Sequence, residues 1–153
     1  MIYLKNVFTQ EIQAFDTSNA YAICHQTWEK LTKNQVDIYL FNQAKENKII
    51  EIKKARDNYL KKPIELNGNL FKTGGEALLK YKAHINDPQT EFPIKWRLAD
   101  DINWLYLGQQ DTEELSKKFT NQEVLGYEKE SKYLALLESA ITLEDINNII
   151  VNF

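Results

Sequence analysis

The chain has 153 residues, of which 43% are hydrophobic and 27% charged, and it contains eighteen aromatic side chains. A chain of this length is about the size of one domain and buries roughly two thirds of the surface that its unfolded form exposes. Because disordered chains are poor in aromatic residues, the eighteen aromatics exclude intrinsic disorder. The net charge of −3 divides into an excess of three basic residues over positions 1–62 and an excess of six acidic residues over positions 63–153, which argues against nucleic acid as the partner.

The single cysteine, Cys24, excludes an intrachain disulfide, and nothing points to an oxidising compartment. The first residues lack a basic region followed by a continuous apolar core, and no run approaches the roughly eighteen apolar residues of a membrane span. We therefore expect a cytoplasmic protein that has no membrane partner.

The first section of the chain, residues 1–31, is rich in residues that favour strands. Its short apolar runs are separated by polar breaks at Thr9-Gln10 and at residues 16–19, which is typical of strands joined by turns. The apolar positions are Ile2, Tyr3, Val7, Phe8, Ile12, Phe15, Tyr21 and Ile23. We predict two or three short strands that form a small antiparallel unit.

The second section, residues 32–62, has the pattern of one long helix. Thr32-x-x-Gln35 is a capping box, no Gly or Pro interrupts the segment from there to Leu60, and Pro63 closes it. The apolar stripe is broken at residues 45–48, where lysines take positions that a coiled-coil seam would fill with apolar residues. This favours a connecting helix that is partly exposed between two packed ends.

The third section, residues 63–153, begins with the strongest local signal in the sequence. Asn67-Gly68 lies between alternating apolar residues, which predicts a hairpin with a type I′ turn. Thr73-x-x-Glu76 then predicts a capped helix. The apolar runs at residues 92–98 and 102–107 predict a second hairpin.

The remaining sequence predicts helices. One extends from about Thr112 to Ser139, with an interruption at Gly126 as an alternative, and Thr142-x-x-Asp145 begins a short last helix. The fold class predicted is therefore α+β, with a small amino-terminal antiparallel β unit, a long connecting helix and a carboxyl-terminal domain of two hairpins packed by helices. The predicted domain limits are residues 1–31, 32–62 and 63–153.

No group of side chains indicates catalysis. Cys24 and His25 are neighbours on a predicted strand and therefore point to opposite faces, and His84 has no ligand-forming residue at a suitable spacing. Asp100-Asp101 could belong to a metal or acid–base cluster, but a polar hairpin tip is the simpler interpretation. We therefore predict no catalytic residue, no metal and no cofactor.

For two further segments, a role in ligand binding competes with a purely structural role. Gly74-Gly75 precedes a helix but lacks the spacing of a phosphate-binding loop, which favours a flexible cap. The basic run on the long helix is interleaved with acidic residues, which is typical of a solvated helix face. Its cations are Lys45, Lys48, Lys53, Lys54, Arg56, Lys61 and Lys62.

Three segments, in their order along the chain, resemble a known family over roughly residues 45–150. The segments are Lys54-Ala55-Arg56-Asp57, Leu66-Asn67-Gly68 with Phe71, and Trp96-Arg97-Leu98-Ala99-Asp100. This order resembles the domain of unknown function that is carried by small phage and prophage proteins encoded with tail fibres and tail assembly factors. The chain departs from that pattern at Gly74-Gly75, where acidic or polar residues are usual.

The resemblance implies a non-enzymatic, tail-associated protein that binds a tail fibre or another assembly partner. It also implies a location in the cytoplasm of a bacterial host, with association with the virion as an alternative. Since no catalytic residue is known for the family, none is carried over to this chain.

Aromatic residues are the predicted partner contacts, because Trp and Tyr dominate the energetics of interfaces. Trp104 and Tyr106 share one face of a predicted strand, and Tyr39 and Phe41 lie on the long helix. The competing hypothesis is a phage-encoded inhibitor that binds a host defence nuclease through its acidic surface. The oligomeric state stays open: a fibre-bound role favours a trimer, and an inhibitor favours a monomer or dimer.

Overall fold

The chain folds as the α+β protein that its sequence predicts, in a computed structural model that describes residues 1–16 and 28–153. The strands are β1 (Ile2–Asn6), β2 (Ile12–Phe15), β3 (Trp28–Lys30), β4 (Ile64–Leu66), β5 (Asn69–Phe71), β6 (Ile94–Arg97) and β7 (Trp104–Leu107). The helices are α1 (Lys33–Leu60), α2 (Gly75–Asn86), α3 (Gln109–Ser139) and α4 (Leu143–Asn147). No helix in the described ranges combines the length and the apolar character that crossing a membrane requires.

The amino-terminal strands form the antiparallel sheet that was predicted, in the order β2-β1-β3. Leu4, at the centre of the middle strand, is buried, and the ring of Tyr3 meets that of Tyr39 edge to face at 6.2 Å, which joins the sheet to α1. The predicted strand positions Tyr21 and Ile23 lie outside the described residues.

The long helix α1 begins and ends where the sequence predicts. Thr32 is its N-cap and forms both hydrogen bonds of the capping box with Gln35. Ile52 is completely buried against α3 and α4. The division into domains at residues 31 and 62 stays a prediction.

The first hairpin has the turn that Asn67-Gly68 requires. Both residues have positive φ, +51° and +75°, as the two central positions of a type I′ turn must. The turn pairs Ile64 with Phe71, whose side chain is completely buried.

The predicted capping box at Thr73 is wrong. The N-cap of α2 is Gly74, which has a φ of +119° and gives no side-chain cap, so Thr73 lies one residue before the N-cap. From there its hydroxyl does not cap the helix, and it is buried without a hydrogen-bond partner among the described residues. Glu76 instead pairs with Lys80 at 2.9 Å.

The second hairpin, β6–β7, is joined to the first. Phe71 bridges to Leu98, and the amide of Ala99 donates to the carbonyl of Leu70 at 2.8 Å. In β6 the side chains of Ile94 and Trp96 turn inward, and Trp96 stacks on Tyr81 of α2 at a ring distance of 4.0 Å. The inner face of this hairpin is therefore fixed to the core.

Helix α3 continues through Gly126 without the interruption that was considered. The reason for glycine is packing, because a Cβ atom at this position would lie 2.9 Å from Cδ2 of Leu60 and 3.3 Å from Cδ1 of Tyr59. The absence of a side chain lets α1 and α3 approach closely.

Two apolar clusters form the core of the described chain. The first lies between the hairpins, α2 and the amino-terminal half of α3, and contains Leu66, Phe71, Leu78, Tyr81, Leu107, Leu115 and Phe119. The second lies between α1, the carboxyl-terminal end of α3 and α4, and contains Ile52, Leu137, Ala140, Ile146 and Ile149. Thr142 and Asp145 form the predicted capping box of α4.

Candidate binding groove

The four predicted contact residues lie in two places. Trp104 and Tyr106 are 52% and 64% exposed on the outer face of β7. Tyr39 is half-buried against Tyr3, and its hydroxyl accepts a hydrogen bond from Gln43 at 2.6 Å. Phe41 is half-buried against the second cluster of the core. Only Trp104 and Tyr106 therefore form one patch.

The outer face of the second hairpin combines these aromatics with two cations. Arg97 is directly opposite Trp104, and Lys95 is opposite Tyr106. We call these four residues the hairpin face. The Lys95 Nζ and the Arg97 guanidinium lie 5.1 and 5.8 Å from the ring centre of Trp104, within the range of cation–π attraction.

An open groove of about 630 Å³ lies between the hairpin face and the amino terminus of α2. Five cations line it, and they come from four separate elements or loops: Lys61, Lys72, Lys80, Lys95 and Arg97. Two carboxylates, those of Glu76 and Asp101, also line it. We call this feature the basic groove. It has an excess of three positive charges.

Asp100 and Asp101, at the tip of the second hairpin, are both held by interactions within the chain. The Asp100 carboxylate accepts hydrogen bonds from the amides of Asn103 and Ile102, each at 2.9 Å, and these bonds lower the pKa of Asp100. Asp101 forms an ion pair with Lys72, which lowers its pKa, and Arg97 contributes a weaker attraction. The hairpin-tip interpretation therefore accounts for both carboxylates. Among the described residues, no three His, Cys, Asp or Glu side chains converge on a metal-sized site.

Of the histidines and the cysteine that were considered for catalysis or metal binding, His84 is the one that lies among the described residues. His84 is half-buried on α2 and meets the ring of Trp96 edge to face at 6.1 Å. Cys24 and His25 lie outside the described residues, so their predicted structural roles stay predictions.

The prediction of a solvated basic face on α1 is wrong for two of its cations. Lys48 donates to the carbonyl of Ile149 at 3.1 Å and pairs with Glu51. Arg56 donates two hydrogen bonds from Nη1 to the Glu130 carboxylate, at 2.8 and 2.7 Å. Lys48 therefore joins α1 to the segment after α4, and Arg56 joins α1 to α3.

Sequence reasoning missed the basic groove because its cations are far apart in the chain. Lys61 and Arg97 are separated by a hairpin and a helix, and each lysine alone has the pattern of an ordinary surface residue. The alternation in residues 94–97 could have shown that Lys95 and Arg97 share the outer face of β6. Their proximity to Lys72 and Lys80 depends on how the hairpins pack on α2.

Comparisons with protein-family models, with curated proteins and with solved structures each found no match. The resemblance to phage tail-associated proteins therefore stays a prediction.

Proposed function

We propose that this chain is a non-enzymatic binding protein that docks another polypeptide on the hairpin face. In the setting that the resemblance implies, the partner is a phage or prophage tail component such as a tail fibre. The observation that carries the proposal is the side-by-side exposure of Trp104 and Tyr106 on a strand whose opposite face is fixed in the core.

The hairpin face has the composition of an interface centre. Trp, Tyr and Arg are the residue types most enriched among those that supply most of the binding energy. Because Leu107 and Trp96 hold the hairpin from its inner side, the aromatics are presented by a rigid backbone. A rigid surface loses less conformational entropy on binding than a mobile one.

The proposal is tested by co-expression of the chain with any tail-fibre protein that the same genome encodes. We expect the two proteins to elute together in size-exclusion chromatography. The double variant Trp104→Ser/Tyr106→Ser should weaken the affinity by about tenfold or more while it leaves thermal stability unchanged, because both side chains are outside the core.

The matched control is Val124→Ser/Leu125→Ser, which removes two similarly exposed apolar side chains from α3. This control should bind as the unmodified chain does. Undiminished binding by the Trp104→Ser/Tyr106→Ser variant would contradict the proposal.

The alternative function is inhibition of a host defence nuclease through an acidic surface. The hairpin face carries cations, which favours the first function over this one. Salt-sensitive binding to such a nuclease that does not depend on Trp104 or Tyr106 would reverse that preference.

A further inference from the structure

The basic groove concentrates positive charge on a chain that is acidic as a whole. The chain has a net charge of −3 and the groove has an excess of three cations, so the rest of the chain has an excess of six carboxylates. Lys72, Lys80 and Arg97 keep more than half of their side-chain surface exposed although each has an acidic neighbour. Such a local field attracts a short anionic segment and repels a long polyanion that extends beyond it.

The amino terminus of α2 adds hydrogen-bond donors to the same groove. Its N-cap, Gly74, has no side chain to accept from the first amides, and the partial positive charge of a helix amino terminus favours an anionic group. Thr73, which precedes this N-cap, also lines the groove, although its hydroxyl is buried. The first amides of α2 are therefore the donors that this end of the groove offers to an anionic group.

We propose that the basic groove binds an acidic segment of the partner polypeptide, in which carboxylates flank an apolar side chain that packs on Trp104. This inference rests on the proposed function and names the chemistry of the partner. Two or three carboxylates would neutralise the excess charge of the groove, and a volume of about 630 Å³ accommodates a few residues of an extended chain.

A polypeptide fits these observations better than a single-stranded nucleic acid. Single-strand binding uses successive bases stacked on several aromatic rings, and of the two aromatics that line the groove only Trp104 is exposed, because Trp96 is stacked on Tyr81. Each further nucleotide would also bring a phosphate toward the acidic remainder of the chain. Carboxylates in a peptide are limited in number and can all lie within the groove.

The experiment measures fluorescence anisotropy with a short labelled peptide that has glutamates on both sides of a single leucine. The comparison probes are the same peptide with glutamine in place of glutamate, and an oligothymidylate of the same length. We expect the glutamate peptide to bind at least about tenfold more tightly than either comparison probe, and its affinity to fall several-fold as NaCl rises from about 0.05 to 0.5 M.

The variant Lys80→Glu/Lys95→Glu should weaken binding of the glutamate peptide by about tenfold or more. Both side chains are at the surface, so the fold should be retained, which circular dichroism checks. The matched control Lys53→Glu/Lys54→Glu makes the same change in net charge on an exposed part of α1 and should change the affinity by less than about twofold.

The inference is overturned if the glutamate peptide does not bind, if the glutamine peptide binds equally well, or if the oligothymidylate binds more tightly.

The co-expression experiment with a tail-fibre protein distinguishes failure of this inference from failure of the proposed function. If Trp104→Ser/Tyr106→Ser weakens partner binding and Lys80→Glu/Lys95→Glu does not, the hairpin face is the docking surface and the acidic-segment inference is wrong. If neither variant weakens partner binding, both proposals are wrong.

Discussion

At the scale of single residues, Gly126 decides how closely the two long helices approach. Glycine in a helix interior usually costs about 1 kcal/mol relative to alanine. That cost is offset here because the missing Cβ leaves room for Leu60 and Tyr59 of α1. A position that weakens its own helix therefore strengthens the contact between helices.

Replacing Gly126 with leucine should lower the free energy of unfolding by about 1–3 kcal/mol, because the larger side chain forces the neighbours from their places. Urea denaturation measures this difference. Asn121→Leu introduces the same side chain at an exposed position of α3 and should change the stability by less than about 0.5 kcal/mol. Equal effects of the two substitutions would show that the close approach of α1 and α3 at Gly126 does not contribute to the free energy of unfolding.

Asp100 is the second residue with a defined energetic role, since its carboxylate holds the backbone of the hairpin tip. The folded state lowers its pKa. The carboxylate therefore contributes stability at every pH above its unfolded pKa, about 3.9, and loses that contribution as the pH falls through the lower folded value.

We expect Asp100→Ala to lower the Tm at pH 7 and the difference from the unmodified chain to shrink as the pH falls below about 4. Thermal unfolding followed by circular dichroism at a series of pH values gives this profile. Asp37→Ala, at an exposed position of α1, provides the comparison. A difference for Asp100→Ala that stays constant with pH would contradict the assigned role.

At the scale of elements, the contact between α1 and α3 combines the Gly126 approach with an ion pair. Arg56 and Glu130 expose only 18% and 11% of their side chains, and the ring of Tyr127 lies 5.2 Å from the Arg56 guanidinium. The carboxylates of Glu130 and Asp57 raise the pKa of Arg56 above its ordinary value. The guanidinium thus joins two helices that are distant in sequence.

Glu130→Ala should reduce the free energy of unfolding by about 1–3 kcal/mol, less than the loss for a completely buried pair because Arg56 keeps Asp57 as a partner. The double variant Arg56→Met/Glu130→Leu should recover most of the loss, since it leaves no buried charge unpaired and Asp57, which also loses Arg56, is half exposed to water. Chemical denaturation of both variants measures this.

The control is Glu114→Ala, which breaks an exposed pair with Lys118 on the same helix and should cost less than about 0.5 kcal/mol. A loss of similar size for Glu114→Ala and Glu130→Ala would contradict the role given to the Arg56–Glu130 pair.

Local signals predicted most elements, and the exceptions have physical reasons. Asn67-Gly68, Thr32 and Thr142 act on residues within one turn of themselves, so their effects are visible in sequence. Thr73 failed as a cap because Gly74 adopts a positive φ that moves the helix start by one residue.

The basic groove and the Arg56–Glu130 pair could not be predicted in the same way. Arg56 and Glu130 are 74 residues apart, and the groove depends on how two hairpins and α2 pack together. The exposure of Trp104 and Tyr106 was accessible from sequence, because alternation along β7 places them on one face. Which face would be covered was decided by Leu107, which is buried in the core.

At the scale of the whole molecule, the second hairpin has one face in the core and one face exposed. The first cluster holds its inner side and the hairpin face lies on its outer side, next to the basic groove, whose lining also includes Trp96. A partner can therefore cover the outer side without disturbing the packing, which lets stability and binding be tested independently.

The most direct measurement of the central claim is hydrogen exchange of the chain, alone and with the partner protein identified by co-expression bound. We predict new protection of the amides of β6, β7 and the first turn of α2, and little change in α4. Protection confined to α4 and the amino-terminal half of α1, with the second hairpin unchanged, would contradict the claim that the hairpin face is where the partner docks.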